Sequence, residues 1–304
     1  MLCGSASELP GISAARRGAA RMRILLTGAR GLLAAALARE FSSAGDVHAF
    51  DRQALDITDE GAVERAIADL RPDVVLNCAS FNDVDRAEAE PQVAIAVNGL
   101  GVRRLVRAAG AAGSRLVHYS TDFVFDGASD RPYVEEDRVN PRGTYAASKL
   151  LGEFFALECP QAYVLRVESL FGEPGPEGSR RGSLGTIVDR IRRGEPVPAF
   201  SDRTVSPTYT TDIAAATRRL IELEAPTGLY HCVNTGWASW VEIAREAGRL
   251  LGREAEIREI TLASVKLRAP RPRYCALSNE KLAALGIVMP TWQDALRRHL
   301  RPPR

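Results

Sequence analysis

The sequence predicts an α/β protein in which helices cover both faces of a parallel sheet, with a smaller α/β lobe toward the C-terminus. Three observations lead to this prediction. The first half alternates short apolar runs with stretches of helical period. A glycine-containing turn joins the first apolar run to the first helical stretch. After Arg166 the alternation stops at a loop rich in glycine, proline and arginine, which indicates that a second region begins there.

Five apolar runs of the first half are predicted to be strands of one sheet, and helix-forming stretches separate them. The strands are MRILLTG (Met22–Gly28), DVHAFD, PDVVLNCAS, SRLVHYS and AYVLRV (Ala162–Val167). The helices are LLAAALAREF, EGAVERAIADL, PQVAIAVNGLGVRRLVRAAGAAG and the stretch that contains Tyr145 and Lys149. This alternation favours a Rossmann-like, doubly wound parallel sheet.

The second half is predicted to contain a helix around Leu184–Arg193, an extended VSPTYTTD segment and a sixth sheet strand at GLYHCVN. Helices and one short strand near EIREI complete the chain. Residues 1–21 are expected to be a disordered extension, with Met22 as an alternative start and a transit peptide as the weaker alternative. The expected domain boundaries are residues 22–166 plus about 207–235 for the sheet domain, and about 167–206 plus 236–304 for the smaller lobe.

Composition argues against several classes of function. The formal net charge is +2 over 304 residues with basic and acidic groups interspersed, so nucleic acid is not an expected partner. The five cysteines are widely spaced without a CxxC pair, which argues against a metal site or a disulfide framework and favours a reducing cytoplasm. No apolar run approaches the roughly 18 residues that a membrane span needs.

The turn TGARGLLA places Gly28, Gly31 and Ala34 at G-x-x-G-x-x-A spacing between the first strand and the first helix. Glycine lets a phosphate approach the backbone closely, and the free N–H groups of the helix start stabilise a pyrophosphate. A tight turn that needs small residues only for packing would show the same pattern. The position inside a strand–helix–strand unit favours a dinucleotide site.

Other cofactor contacts are expected where strands end. Asp51 would accept a hydrogen bond from a ribose hydroxyl of NAD, whereas the adjacent Arg52 would suit the additional phosphate of NADP, so the sequence leaves the choice between NADH and NADPH open. Asp56 follows where a side chain could reach the adenine, although a capping role is nearly as well supported. The remaining expected cofactor-binding residues are Arg30, Leu32, Leu33, Ile57, Cys78, Ala79, Ser80 and Asn98.

Tyr145 and Lys149 are four residues apart, which puts them on one face of a helix. Lys149 is one of only three lysines among 40 basic residues, so a lysine here suggests a geometric need that arginine does not meet. A free tyrosine has a pKa of about 10, and a nearby ammonium is expected to lower this pKa enough for acid–base chemistry. Alternatively, the lysine is a surface charge and the tyrosine a packing residue. Thr121 ends the preceding strand, where its hydroxyl could hold a carbonyl oxygen near the phenol.

Together these stretches resemble the extended short-chain dehydrogenases/reductases, and most closely the dTDP-4-dehydrorhamnose reductase family. The resemblance runs from about Met22 to the C-terminus, and its most specific part combines STDFVFDG, PYVEED and YAASKLLGE. The other stretches that carry it are TGARGLLA, LDITD, PDVVLNCAS, VDRAEAEP, AVNGLG, SPTYTTDIA and GLYHCVNTGWASWVEIA.

The resemblance implies that NADH or NADPH reduces the 4-keto group of a nucleotide-linked deoxy sugar. Tyr145 would protonate the forming alkoxide, Lys149 would lower the pKa of the phenol and hold the nicotinamide ribose, and Thr121 would position the carbonyl. These three are the expected catalytic residues, and a homodimer is an expected assembly. The substrate-binding residues that the resemblance implies are Asp122, Val124, Ser169, Thr208 and Arg271.

The chain departs from the family at Ser169, where the family usually has a tryptophan near the sugar. This departure puts the identity of the sugar in question more than the chemistry. Two alternatives stay open from the residues alone. One is a nucleotide-sugar epimerase or dehydratase that keeps its cofactor tightly bound. The other is a regulatory subunit that binds NAD(P) without turnover.

Overall fold

The computed structural model of the protein describes residues 21–173 and 182–301. The expected N-terminal extension therefore lies outside the described residues except for Arg21. The guanidinium of Arg21 donates a hydrogen bond to the carbonyl of Ser42 at 2.8 Å, so this end of the expected extension is bound to the fold. Most of the loop predicted after Phe171 also lies outside the described residues.

The described residues form strands and helices in the alternation that the sequence predicts. The strands are β1 (Met22–Thr27), β2 (Gly45–Phe50), β3 (Val74–Asn77), β4 (Arg115–Thr121), β5 (Ala162–Val167), β6 (Leu170–Phe171), β7 (Val197–Phe200), β8 (Thr204–Val205), β9 (Thr208–Tyr209), β10 (Gly228–His231), β11 (Ala238–Ser239) and β12 (Ile257–Ile260). The α-helices are α1 (Leu32–Phe41), α2 (Glu60–Leu70), α3 (Val84–Ala89), α4 (Pro91–Ile95), α5 (Val102–Ala112), α6 (Thr144–Leu157), α7 (Gly182–Arg193), α8 (Thr210–Glu222), α9 (Trp240–Leu251), α10 (Glu280–Ala284) and α11 (Trp292–Leu300). Among these helices, none has the length and apolar character that crossing a membrane requires.

The main sheet has six strands in the order β10-β5-β4-β3-β1-β2, and every pair in it is parallel. The chain starts at β1, winds outward through β2, and then returns to build β3, β4 and β5 on the other side. The predicted doubly wound fold is therefore confirmed, including the sixth strand at GLYHCVN. Because parallel strands end at one edge, the segments that follow β1, β3, β4 and β5 lie side by side there.

The one long helix predicted from PQVAIAVNGLGVRRLVRAAGAAG is interrupted in the structure. A π-helical segment, Ala96–Gly101, separates α4 from α5. A Cβ atom on Gly99 would lie 2.6 Å from the Leu151 side chain, and one on Gly101 would lie 2.8 Å from the Ile57 side chain. The two glycines therefore allow a close approach to α6 on one side and to the loop before α2 on the other. Such π-segments are frequent at functional sites.

The apolar residues form two large separate cores. One core lies between the main sheet and the helices α1 and α8. The other is built by α7, α9 and α11 with the short strands of the C-terminal half. The segment around α10 packs against the core of the main sheet, where Leu282, Ile287 and Met289 are buried. Part of the C-terminal segment that was assigned to the smaller lobe therefore packs on the sheet domain.

Candidate active site

The turn after β1 brings the start of α1 close to the end of β3. Gly28 has φ of +69°, and a Cβ atom there would lie 2.7 Å from the backbone of Cys78 and Ala79. Gly31 precedes α1 without a capping side chain, and the first turn of this helix contains no acidic residue. The first N–H groups of a helix have no acceptor within the helix, so this positive end is available to an anion. The geometry fits the phosphates of a dinucleotide. Of the other residues predicted in this turn, Arg30 is exposed, Leu32 is half-buried and Leu33 is buried.

The polar side chains predicted after β2 form hydrogen bonds within the same segment, residues 51–58. Asp51 Oδ1 accepts two backbone hydrogen bonds from the turn that follows, at 3.0 and 3.1 Å. Arg52 donates to Asp56 Oδ2 at 3.1 Å while its side chain stays 75% exposed. Asp56 also accepts hydrogen bonds from the backbone and the hydroxyl of Thr58. Ile57 is buried and packs against the π-helical segment. Asp56 therefore stabilises a turn, and the capping role that was the alternative belongs instead to Asp59, the N-cap of α2.

Asn98, in the π-helical segment, joins the loop after β3 to α6. Its Oδ1 accepts hydrogen bonds from the Ser80 hydroxyl at 3.0 Å and from the Phe81 N–H at 2.8 Å. Its Nδ2 donates to the Phe81 carbonyl at 3.1 Å and to the Ser148 hydroxyl at 3.0 Å. Both ends of this buried amide are thus used inside the protein. Asn98 positions the loop after β3, including Ser80, relative to α6.

Tyr145 lies in the first turn of α6 and is 9% exposed. Its ring meets the ring of Phe123 edge-on, with 5.5 Å between centroids. Burial raises the pKa of Tyr145, the charge of Asp122 raises it further, and a hydrogen bond with the Thr121 side chain acts in the opposite direction. The expected lowering of this pKa by the ammonium of Lys149 is therefore wrong for the structure described. The Thr121 and Tyr145 side chains lie next to each other, and the catalytic roles expected of them stay predictions.

The Lys149 ammonium is buried beneath the site and does not reach into solvent. Its side chain, which is 2% exposed, donates a hydrogen bond from Nζ to the Tyr119 carbonyl at 2.6 Å. Burial lowers the pKa of Lys149 to about 8, while the negative charge of Glu153 opposes this shift. The same ammonium favours the thiolate of Cys78, yet burial dominates and raises the pKa of that thiol. The alternative reading of Lys149 as a surface charge is wrong.

Asp122 and Ser169, both predicted to contact substrate, lie just after the adjacent strands β4 and β5. Thr121 of β4 is in register with Val167 of β5, so Asp122 is beside Glu168, a residue that was not predicted. Asp122 is 3% exposed and accepts a hydrogen bond from the Thr121 hydroxyl at 2.9 Å. Ser169 has φ of +45°, which is uncommon for a residue with a side chain and turns the chain sharply after β5.

The other three residues predicted to contact substrate have partners inside the protein. Val124 is fully buried in an apolar cluster beneath the loop after β4. Thr208 is also fully buried, and its hydroxyl donates to a backbone carbonyl at 2.9 Å. The Arg271 guanidinium donates to Asp85 at 2.8 Å, and Asp85 also accepts the backbone N–H groups of Arg268 and Ala269. This set of bonds holds the 268–271 segment of the C-terminal region against α3.

A buried ion pair beneath the site was not predicted from the sequence. The Arg166 guanidinium forms two hydrogen bonds with the Glu153 carboxylate, at 2.8 and 2.9 Å, and both side chains are at most 3% exposed. Glu153 also accepts a hydrogen bond from the Ser120 hydroxyl, and Arg166 lies over the ring of Phe125 and beside His231. The available signal was an arginine inside AYVLRV, an otherwise apolar run predicted to be a buried strand.

Comparisons with known proteins identify the family of this chain. The family described as RmlD substrate binding domain matches residues 22–303. The chain is 38% identical to a dTDP-4-dehydrorhamnose reductase of Streptomyces griseus, over 91% of this chain and 92% of that protein. It is 35% identical to a probable dTDP-4,6-dihydroxy-2-methyloxan-3-one 4-ketoreductase of Streptomyces antibioticus, over 91% of this chain and 94% of that protein.

A solved structure is also similar over nearly its whole length. The crystal structure of a dTDP-4-dehydrorhamnose reductase from Bacillus anthracis in complex with NADP superposes with a TM-score of 0.86. The two sequences are 30% identical, and the match covers 92% of this chain and 98% of that one. The likeness therefore includes both the sheet domain and the smaller lobe. The chain belongs to the RmlD substrate-binding-domain family, that of the dTDP-4-dehydrorhamnose reductases.

Proposed function

We propose that this protein is an NAD(P)-dependent oxidoreductase that reduces the 4-keto group of a dTDP-linked deoxy sugar, in dTDP-rhamnose or related deoxysugar biosynthesis. The observation that carries the proposal is that β4 holds two side chains of α6: Thr121 at its carboxyl end interacts with Tyr145, and its Tyr119 carbonyl accepts a hydrogen bond from Lys149. The family and the NADP complex of the Bacillus anthracis relative support the reaction and the cofactor. The Streptomyces antibioticus relative supports a wider set of dTDP-linked ketones than dehydrorhamnose alone.

In the proposed reduction, each predicted residue would have a separate role. Bound NADPH or NADH supplies the hydride to the sugar carbon. The start of α1 would hold the phosphates of the dinucleotide, and Lys149 would hold the nicotinamide ribose. The Thr121 hydroxyl would orient the keto oxygen, and Tyr145 would donate a proton to the alkoxide that forms there. Asp122, Val124, Ser169, Thr208 and Arg271 remain proposed to position the sugar nucleotide, directly or through the loops that they hold.

The raised pKa of Tyr145 is compatible with this direction of reaction. A reduction needs the phenol in its protonated form, and burial together with the charge of Asp122 keeps the proton on the phenol at neutral pH. An alkoxide is a stronger base than a phenolate, so the proton can still move to the substrate. We infer that Tyr145 is protonated before the reaction and acts as a general acid, and that it is not a phenolate at that stage.

The experiment is a kinetic assay of the purified protein with NADPH and NADH against a panel of dTDP-4-keto-6-deoxy sugars. We expect oxidation of a reduced dinucleotide with at least one of them. Tyr145→Phe should lower kcat about 100-fold or more, the usual range for removing a general acid. Tyr230→Phe is the matched control, because the Tyr230 hydroxyl donates to the Pro226 carbonyl and lies on β10, the edge strand of the sheet. No turnover with any nucleotide-linked ketone, by folded protein that binds NADPH, would refute the proposal.

We also propose that the protein acts as a homodimer in the cytoplasm. Four large apolar side chains of α4, the π-helical segment and α6 are 38–56% exposed, which supports an interface on these helices. They are Ile95, Leu100, Phe154 and Leu157. Cytoplasmic location is supported by the cysteines at 78, 159, 232 and 275, which carry free thiols. Light scattering of the intact protein and of Phe154→Glu tests the dimer, because a charge there should yield monomers.

A further inference from the structure

Two buried carboxyl groups face each other beside the catalytic phenol. The register of β4 and β5 makes Asp122 and Glu168 neighbours, and they are 3% and 2% exposed. One oxygen of each carboxyl group and the Cys275 Sγ all lie within 4.8 Å of one another. Asp122 Oδ1 accepts from the Thr121 hydroxyl, and Glu168 Oε2 accepts from the Ser206 N–H at 2.8 Å. The other oxygens, Asp122 Oδ2 and Glu168 Oε1, are buried without a hydrogen-bond partner among the described residues.

A bound cation is not needed to explain this cluster, because a positive charge already lies within it. The guanidinium of Arg203 favours the ionised form of both carboxyl groups, and its Nη2 lies 3.8 Å from Cys275 Sγ. Arg203 also lies over the ring of Phe123, which touches Tyr145 edge-on. One guanidinium balances one negative charge, so a second carboxylate charge would remain uncompensated in a buried site.

We propose that Asp122 and Glu168 share one proton at neutral pH, and that Glu168 is a positioning residue that keeps the full negative charge off Asp122 beside Tyr145. The two carboxyl groups have oxygens within 4.8 Å of each other, and each group has one buried oxygen, without a partner in the described part of the chain, that a shared proton could engage. Two carboxyl groups that share a buried site cannot both ionise easily. The directions of the pKa values agree, since burial and mutual repulsion raise that of Glu168, and burial raises that of Asp122.

The role in catalysis rests on the proposed reduction. A negative charge on Asp122 raises the pKa of Tyr145 and so makes its proton harder to release. While the pair keeps its proton, the charge is spread over two carboxyl groups and balanced by Arg203. The groups that face the pair from neighbouring segments are Arg203, Cys275, Tyr145 and Tyr274.

The first test detects the proton itself and needs no substrate. Infrared spectra of the folded wild-type protein near neutral pH should show the carbonyl band of a protonated carboxyl group. This band should be absent from both Glu168→Gln and Asp122→Asn, and present in Glu135→Gln. Glu135 is a suitable control because it is also partly buried and has a raised pKa, yet its carboxylate binds the backbone of His231 away from the phenol. Absence of the band from the wild type would overturn the shared proton.

The second test measures kcat against pH for the wild type and Glu168→Gln. The glutamine amide can donate to Asp122 and leaves Asp122 fully ionised, so kcat should fall on the order of tenfold near neutral pH with the dinucleotide KM unchanged. The ratio of the wild-type kcat to the Glu168→Gln kcat should approach one as pH rises, because the wild-type pair of carboxyl groups then loses its proton too. A constant ratio, or equal kcat throughout, would overturn the positioning role. If no ketone is reduced at all, the proposed function and this role fail together, whereas the infrared result stands independently.

Discussion

Replacing Lys149 with methionine should change how stability depends on pH. The pKa of this buried ammonium falls from the ordinary 10.5 to about 8 because burial disfavours its charge. Between these two values the unfolded chain holds the proton and the folded protein does not, so the free energy of unfolding rises with pH over that interval. The difference corresponds to about 3 kcal/mol. Methionine does not titrate, and the wild type should therefore gain about this much stability relative to Lys149→Met between pH of about 8 and about 10.5.

Urea unfolding at a series of pH values, followed by circular dichroism, measures this gap because other titrating groups cancel between the two proteins. Lys281→Met is the matched control. Lys281 also donates to a backbone carbonyl, that of Leu229 at 2.9 Å, but from an exposed position. The difference in the free energy of unfolding between Lys281→Met and the wild type should stay constant as pH changes. A constant gap for Lys149→Met as well would refute the claim that burial lowers the pKa of this lysine. Reductase activity should be lost in Lys149→Met at every pH.

Two further predictions concern the buried ion pair and the phosphate turn. Arg166→Met should lower the free energy of unfolding by about 3–5 kcal/mol, because it leaves the Glu153 carboxylate buried without its ion-pair partner. Thermal unfolding measures this loss. As a check, the double variant Arg166→Met with Glu153→Met should recover the lost stability. A loss below about 1 kcal/mol would mean that the pair is solvated. Gly28→Ala should weaken NADPH binding in a fluorescence titration, and it should destabilise the fold more than the control variant Gly113→Ala. Both glycines have a similar positive φ, but of the two only Gly28 would have backbone atoms 2.7 Å from an added Cβ atom.

The sequence predicted the sheet and the phosphate turn because both depend on local patterns. Short apolar runs separated by helical stretches leave few arrangements other than a parallel sheet, and a glycine between the first strand and helix marks the turn directly. The burial of Lys149 was also within reach, since its spacing from Tyr145 and the scarcity of lysine in this chain both point to a specific role. The glycine turn and the spacing of Tyr145 and Lys149 are each complete within about 15 consecutive residues, whereas the scarcity of lysine is read from the whole chain.

Other features depend on pairs of residues that are distant along the chain. Asp85 holds Arg271 across 186 positions, and Asn98 joins the loop after β3 to α6 through four hydrogen bonds, so neither partner reveals the other in the sequence. The direction of the Tyr145 pKa was mispredicted for the same reason. Sequence spacing placed Lys149 on the same helix face as Tyr145, but it could not show that the charge of Asp122 raises the pKa of the phenol or that Tyr145 is only 9% exposed.

The buried charges also explain why position 149 carries a lysine in a chain that otherwise favours arginine. Among the described residues, Nζ donates its hydrogen bond to the Tyr119 carbonyl, a single acceptor, from a side chain that is 2% exposed. A guanidinium would bring five donors in a planar fork and could not release its charge on burial. The Glu153 carboxylate, fixed by Arg166, keeps the ammonium charged at neutral pH by opposing the effect of burial. The unpredicted ion pair beneath the site therefore sustains the charge of the lysine that was predicted.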